Sequence, residues 1–363
     1  MSAGPSWRQC SVIASGVLAA LLLACGPGPA ASGRGPAPAP PAAASSPGGA
    51  AGAEAASSPA PLIPIHQAWT TISASTAPWW VALDAGYLRE QGLDVDLQFV
   101  EPGATLLAAL NSGEIDVVSA GAPSLVLGRL QGIDTVIFGA VTNVLDITVV
   151  VRPETQSAAD MRGKTVGVSR LKAVTDVGAR VALQRLGLQP DVDFFTRGVG
   201  GIGESFAALE TGAVDGAALS VPTLFEARKR GYRELVSTAD LGVPFMGNSA
   251  GSSRAYLAAH PDVGEPYLRA LAQATSRVRT DRELAIAVIG KYTKTDDREL
   301  LDATVEHYAN QFSVDPYPEP GPLQGTIDLE ENPAARTAKP EDFTDTRYAE
   351  ALRRSGFLDT LPR

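Results

Sequence analysis

Gly247-Asn248-Ser249-Ala250-Gly251 carries the spacing G-x-S-x-G, in which two glycines let a serine sit on a sharp strand-to-helix turn with its oxygen exposed as a nucleophile. A serine hydrolase acting at Ser249 is therefore one reading, and an acid and His307 follow in the order that chemistry uses. The turn needs a strong apolar strand before it. Leu241-Gly242-Val243-Pro244-Phe245-Met246 is short and broken by proline, which argues against it. Gly198-Val199-Gly200-Gly201-Ile202-Gly203 satisfies G-x-G-x-x-G between a strand-like and a helix-like run, the setting in which glycine backbone cradles a pyrophosphate. It falls late in the chain, and Asp215 reads as the opener of the next strand rather than as a ribose ligand, so a supple loop is the plainer reading. The histidines, His66, His260 and His307, show no H-x-x-x-H pair of the kind a zinc site favours. No metal and no cofactor is expected.

Cys25 offers a different chemistry. Val12 to Leu23 is an apolar run preceded by Arg8 and closed by the small Ala24, the layout of a signal peptide and too short for the roughly 20 residues of a membrane-spanning helix. Leu22-Leu23-Ala24-Cys25 resembles the lipobox of bacterial lipoproteins, which implies an acylated Cys25 as the first residue of the mature chain. The other cysteine, Cys10, lies in the segment that would be removed, so no thiol remains for redox work, ligation or catalysis. The formal charge of −10 becomes −11 when Arg8 is lost, and an acidic body of this kind is a poor partner for nucleic acid.

Residues 1–24 are thus expected to be a signal peptide and 25–61 a lipidated cysteine with a linker. From Gly26 to Pro61 the chain is almost entirely Ala, Gly, Pro and Ser, has Arg34 and Glu54 as its charges, and has nothing to bury, which predicts disorder. As flexible coil such a tether spans about 30 to 36 Å, and on the order of 100 Å if its prolines hold it extended.

The remainder, 62–363, alternates short β-rich runs with helical ones, as an α/β protein of two lobes does. Strands are expected at 63–73, 94–99, 115–118, 135–138 and 146–151, then at 165–168, 192–196, 215–219 and 234–237. Helices are expected at 175–186, 204–211 and 222–230, and later at 260–280, 282–291 and 296–311. Residues 315–342, rich in Pro, Gly and acids, read as a surface loop. One pattern repeats: Leu110-Asn111-Ser112-Gly113-Glu114-Ile115-Asp116-Val117 returns in form as Leu209-Glu210-Thr211-Gly212-Ala213-Val214-Asp215-Gly216. Each reads as a helix end, a glycine cap and a strand opened by aspartate, consistent with one similar unit per lobe or with a generic loop.

Ala77-Pro78-Trp79-Trp80-Val81-Ala82-Leu83-Asp84-Ala85-Gly86-Tyr87-Leu88-Arg89-Glu90-Gln91-Gly92-Leu93-Asp94-Val95 is the most specific stretch. It resembles the opening helix and second strand of the periplasmic binding proteins for sulfonates, taurine, nitrate and thiamine-pyrimidine precursors that serve ABC importers. Similarity continues at Gly113 to Asp116, Gly163 to Val168, Leu171 to Gly187, Gly212 to Asp215, His260 to Val263 and Tyr348 to Leu358. The resemblance implies the type II two-lobed fold, each lobe a mostly parallel sheet flanked by helices, with the solute held between lobes. Lobe 1 would take 62–143 and 246–363, and lobe 2 would take 144–245, with hinges near Thr142 to Asn143 and Pro244 to Asn248.

In open α/β sheets ligands gather at the carboxyl ends of strands, which singles out four loops: Ser75 to Trp80, Ser119 to Pro123, Ser169 to Thr175 and Ser220 to Pro222. Hydroxyls and free backbone N–H groups at helix starts are equipment for gripping a sulfonate, carboxylate or nitrate oxygen. The candidate ligand contacts are Thr76, Trp79, Trp80, Ser119, Gly121, Asn143, Ser169, Lys172, Thr175, Ser220 and Asn248. The hydroxyls serve equally well as helix caps. Either one ring of Trp79 and Trp80 faces the cleft or both are packing, and Arg170 and Lys172 either meet an anionic solute or simply face water.

The expected protein is no enzyme. It is a monomeric, exported lipoprotein that captures a small molecule and delivers it to a membrane ABC permease. Alternatives are an enzyme of the pyrimidine-precursor type, whose cysteine-rich motif is missing from this sequence, the hydrolase at Ser249, and a receptor that presents its ligand to a membrane sensor. Lipidation is directly testable: Cys25→Ala should abolish incorporation of labelled palmitate and move the protein from the membrane to the soluble fraction. Label retained in the variant would count against the anchor.

Overall fold

The computed structural model describes residues 61–101 and 103–362; the signal segment, Cys25 and the linker up to residue 60 lie outside the described residues. The chain opens with β1 (Ile63–Trp69), α1 (Ala77–Asp84), the single turn α2 (Tyr87–Glu90), β2 (Leu93–Phe99), α3 (Ala104–Ser112), β3 (Val117–Gly121), α4 (Ala122–Leu130) and β4 (Val136–Ala140). It then crosses to a second layer of β5 (Thr148–Val151), β6 (Lys164–Val168), α5 (Val174–Arg185), β7 (Phe194–Gly198), α6 (Ile202–Thr211), β8 (Gly216–Leu219), α7 (Thr223–Lys229) and β9 (Arg233–Ser237). It returns with β10 (Asn248–Ser252) and ends in α8 (Arg254–Ala259), α9 (Gly264–Thr280), α10 (Arg282–Thr293), α11 (Arg298–Ala309), α12 (Pro320–Asp328) and α13 (Arg347–Arg354).

Two five-stranded sheets result, ordered β2-β1-β3-β10-β4 and β7-β6-β8-β5-β9. In each, one strand runs against the other four: β10 between β3 and β4, and β5 between β8 and β9. Both are the first strands after a crossover. The two crossovers lie side by side, bridged at Val144 and Pro244, and Gly247 N–H donates to the Thr142 carbonyl at 2.9 Å.

The repeated pattern is one device built twice. Gly113 (φ 75°) and Gly212 (φ 80°) close α3 and α6 in the left-handed conformation that glycine adopts without strain. The aspartate that follows then clips the neighbouring parallel strand of its own sheet. Asp116 Oδ2 accepts from His66 N–H at 2.8 Å, and Asp215 Oδ2 accepts from Thr165 N–H at 3.0 Å.

Three strands read as unbroken buried runs, VVSAG in β3, VIFGA in β4 and TVVV in β5, as strands covered on both faces must. Trp79 and Trp80, 1% and 0% exposed, lie inside the first lobe, where α1 packs on α9 and α10. Trp80 meets Trp69 edge-on at 5.3 Å and stacks on Tyr292 at 4.7 Å. Both rings are therefore packing, which settles that alternative against a contact with the cleft.

Several elements differ from expectation. The first strand ends at Trp69, and residues 70–76 form a loop with a 3-10 turn that faces the second lobe. The expected helix at 260–280 starts later, at Gly264, and a separate helix not expected from sequence, α8, capped by Ser253 and closed at His260, precedes it. Residues 315–342 contain α12, whose Leu323 and Ile327 are fully buried against the first lobe, so this stretch is more than a surface loop. The expected hinge at Pro244 to Asn248 runs directly into a central strand, Asn248–Ser252, that the sequence pattern does not predict. Its residues are too small to signal a strand locally, and the slot between β3 and β4 makes them one.

Truncating a ring at the centre of this packing should cost about 3–5 kcal/mol. Trp80→Ala is expected to lose that much in urea unfolding without changing the slope of the transition; a loss under about 1 kcal/mol would contradict the packing described.

Candidate functional site

Between the lobes, where the β1, β3, β6 and β8 strand ends face one another, lies a chamber of about 60 Å³. That is room for on the order of four to six water-sized groups. Its wall carries a set of hydroxyls and amides among the apolar side chains of Val144, Ile147, Val174 and Ile202. Asn248 donates from its backbone to Thr142 Oγ1 (2.7 Å) and from Nδ2 to Ser75 Oγ (3.1 Å). Ser75 Oγ reaches Ser73 Oγ at 3.2 Å, and Ser73 Oγ meets Ser220 Oγ of the other lobe at 3.0 Å. Opposite them, Ser169 and Thr175 share a hydrogen bond of 2.7 Å at the start of α5.

No lysine or arginine is among the described residues that line the chamber. Its one carboxylate, Asp146, is held by His307 Nε2 at 2.7 Å. Burial, with the Asp146 carboxylate adding to it, pushes the Tyr308 phenol well above its ordinary pKa, so Tyr308 enters the wall as a neutral hydroxyl. The N-terminal ends of α4 and α5 both open here, with Gly121 and Ala173 as caps that use no side chain. Ala122 N–H is taken by the Gly247 carbonyl and Pro123 has none, so it is the remaining first-turn N–H groups that supply partial positive charge where no side chain does.

The lobes are in contact around this chamber. Gly121, at the end of β3, lies so close to α5 that a Cβ there would overlap Val174 of the other lobe. Arg170 pairs with Glu101 across the cleft, and Lys229 bridges to Asp297 and Glu299 at 2.9 Å each.

With the architecture and chamber in view, the comparisons with known proteins acquire meaning. The sequence model described as NMT1/THI5 like matches residues 73–284, more than half of the chain. The chain belongs to the NMT1/THI5-like family. It is 26% identical over 271 residues to the "Putative binding protein YtlA" of Bacillus subtilis, a match spanning 71% of this chain and 79% of that protein.

The family's fold is shared with solved structures at low sequence identity. A protein of Bordetella bronchiseptica RB50 superposes with a TM-score of 0.72 at 18% identity, covering 80% of this chain and 97% of that one. The nitrate-binding protein NrtA of Synechocystis PCC 6803 gives 0.69 at 13%, covering 81% and 89%. The alkanesulfonate-binding protein SsuA of Xanthomonas axonopodis pv. citri gives 0.62 at 22%, covering 79% and 99%. The fold is thus the two-lobed one of periplasmic binding proteins.

Of the residues singled out from sequence, the structure gathers Gly121, Ser169, Thr175, Ser220 and Asn248 at the chamber. Thr76 stands one layer behind, accepting from Asn248 Nδ2 at 3.4 Å and donating to the Thr71 carbonyl. Ser119 is buried inside β3, and Asn143 lies in the crossover; neither lines the chamber. Ser249 sits mid-strand in β10, 0% exposed, its hydroxyl donating to the Gly247 carbonyl at 3.2 Å. G-x-S-x-G is therefore strand here and makes no nucleophile elbow. The sequence reading missed Thr70, Thr71, Ser73, Asp146, Tyr308 and Gln311. A run of hydroxyls, Thr70-Thr71-Ile72-Ser73-Ala74-Ser75-Thr76, was the available signal for the first of these.

Lys172 belongs elsewhere. It lines a separate cavity of about 330 Å³ at the seam where the end of α12 meets α5, together with Asp176, Arg180, Glu330 and Glu331. Lys172 has φ 64° because its N–H turns to donate to Asp176 Oδ2 at 2.6 Å. Arg180 is committed to Asp176 and Asp191. Glu330 has no such partner, and burial raises its pKa to about 7, with Lys172 opposing and Glu331 adding to the shift. A carboxyl whose pKa is higher folded than unfolded contributes stability below its unfolded value and loses it as pH rises through the folded one. Stability should therefore fall between about pH 4.5 and 7 by an amount that Glu330→Gln removes, leaving the variant the more stable protein at pH 8. Identical pH profiles for the two proteins in thermal unfolding would contradict this.

Proposed function

We propose that the protein is an extracytoplasmic, lipid-anchored solute-binding protein that captures a small organic molecule in the interlobe chamber and delivers it to an ABC importer. The observation that carries the reading is the chamber itself: a hydroxyl- and amide-lined space closed between two lobes that are joined by two adjacent crossovers. The family and its structural relatives, a nitrate-binding and an alkanesulfonate-binding protein among them, support the same class.

The chemistry of the wall favours a compact oxygen-rich head of sulfonate or carboxylate type. Ser73, Ser75, Ser169, Thr175 and Ser220 offer O–H donors, and the N-termini of α4 and α5 offer N–H donors. With no lysine or arginine among the described lining residues and Asp146 engaged by His307, an anion would be held by dipoles rather than by a salt bridge, so its binding should depend little on ionic strength.

The mechanism is differential affinity. A solute that touches Ser73 and Asn248 of one lobe and Ser169, Thr175 and Ser220 of the other binds the closed arrangement more tightly than an open one, so binding and closure are linked. Motion would be taken up at the paired crossovers near Thr142 and Gly247.

Native mass spectrometry of protein purified without denaturation should show a bound small molecule. Adding the right solute at a hundredfold excess over Kd should stabilise the protein by about 2.7 kcal/mol, on the order of 5 °C in Tm for a body of this size, with measurable compaction in small-angle scattering. Gly121→Ala, whose methyl would strike Val174 on closure, should lose affinity at least tenfold. An empty cleft that takes up nothing from cell extract, or unimpaired binding by Gly121→Ala, would count against the proposal.

A further inference from the structure

Helix α12 reaches from one lobe to the other. Leu323 and Ile327, both fully buried, fix its body in a core cluster of the first lobe, and just past them Leu329 packs against the core of the second lobe beside Val243. Its middle rests on the second crossover. Thr326 Oγ1 accepts from Met246 N–H at 2.9 Å, and Gly325 lies so close that a Cβ there would overlap the Pro244 carbonyl.

A helix seated in this way stays with the first lobe when the lobes rotate. The contact that must part is the one beyond its end, where Leu329, Glu330 and Glu331 meet α5 around the cavity of about 330 Å³. The charged residues of that seam are Lys172, Asp176 and Arg180 on the α5 side and Asp328, Glu330 and Glu331 on the α12 side. Several are committed. Asp176 accepts from Lys172 N–H and from Arg180, Arg180 also holds Asp191 and comes within 3.9 Å of Glu331, and Asp328 accepts from Gln324.

The half-buried Glu330 carboxyl accepts no hydrogen bond from a described residue. Loss of water is the largest influence on it and favours the neutral form; Lys172 opposes that and Glu331 adds to it, leaving a pKa of about 7 against an ordinary 4.5. Once the seam parts, water returns to the group and it becomes an ordinary carboxylate.

We propose that the seam between the end of α12 and α5 is a proton-operated latch between the lobes, shut while Glu330 is neutral and loosened when it ionises. Closing the seam takes up a proton. Closure is therefore favoured in acid, and the advantage is lost as pH rises from about 4.5 to 7. Solute capture, being linked to closure, should tighten as the medium becomes more acidic across that range. The proposal rests on rotation of the lobes about the paired crossovers, which is part of the proposed function, and not on which solute the chamber holds.

The test needs no solute. Nitroxide labels on Ser112→Cys and Thr211→Cys, exposed where α3 and α6 end, report the distance between lobes by double electron–electron resonance. The full chain is used, with Cys10→Ser and Cys25→Ser. In the parent the closed-to-open ratio should fall about tenfold or more from pH 5 to 8 and level off above about pH 7. Glu330→Gln, neutral throughout, should keep the closed population at pH 8. Lys172→Met removes the opposing charge and should move the levelling point up, and Glu331→Gln should move it down. The contact of His307 with Asp146, which also crosses the cleft, is the same in all these proteins, so differences among their profiles belong to Glu330. A parent whose distances do not change between pH 5 and 8, or a Glu330→Gln protein that follows the parent's profile, overturns the latch. If Glu330→Gln does not fold, unmoved levelling points in the other two variants overturn it. Failure of the latch leaves solute capture in the chamber standing, and failure to bind any solute leaves the latch standing.

Discussion

The first sheet of this protein is completed only by a strand that returns from across the cleft. β5 enters the second sheet between β8 and β9, and β10 returns to the first between β3 and β4, each straight after a crossover and each antiparallel to its neighbours. The first lobe therefore cannot finish its hydrogen bonding until the chain has visited the second, whose own strands β5 to β9 are one continuous stretch. Because β5 and β10 are both central, the two crossovers are drawn together at the middle of the molecule, where Val144 and Pro244 bridge. Two adjacent connections restrict relative motion more than one would, and they lie directly behind the chamber. Thr142 belongs to the first and Gly247 to the second, and both line the site.

That arrangement explains why the polar lining is a single network. Asn248 starts β10, so its side chain is fixed by strand pairing, and it holds Ser75, which reaches Ser73, which touches Ser220 of the other lobe. Any one of these hydrogen bonds is a modest contribution. Together they align donors from both lobes toward one small volume, so the geometry for a ligand is set largely before it arrives. Removing water from such a lining without replacing its hydrogen bonds is costly, which gives the chamber its selectivity for a head rich in acceptors.

Chemistry of other kinds is accounted for by the same geometry. His307, whose position suggested a catalytic role in sequence, is engaged with Asp146 and Gln311, while the strand-buried Ser249 hydroxyl is engaged with the Gly247 carbonyl. The glycine run 198–203 links β7 to α6 at the rim of the cleft. There the Glu204 side chain folds back over Gly201 at the helix start and takes the ground that a phosphate would need. Both motifs are local spacing without the surroundings that would give them their usual roles.

The sequence by itself determined the periodic elements and their punctuation. The apolar runs of β3, β4 and β6, the glycine caps at Gly113 and Gly212, and the aspartates Asp116 and Asp215 that clip neighbouring strands are local signals with local causes. For the same reason the hydroxyls at strand ends, Ser169, Thr175 and Ser220, could be found without coordinates, since a loop at a helix start is where they belong. Only the tertiary structure decided the rest. Whether Trp79 and Trp80 face the cleft depends on which side of α1 meets α9, and a short helix that is apolar on every side does not say. Asn248–Ser252 is a strand because of the slot it fills, and Lys172 leaves the cleft because Asp176 turns its backbone away. Tyr308 and Asp146, separated by most of the chain's second lobe, become walls of one chamber through packing alone, which no short-range pattern records.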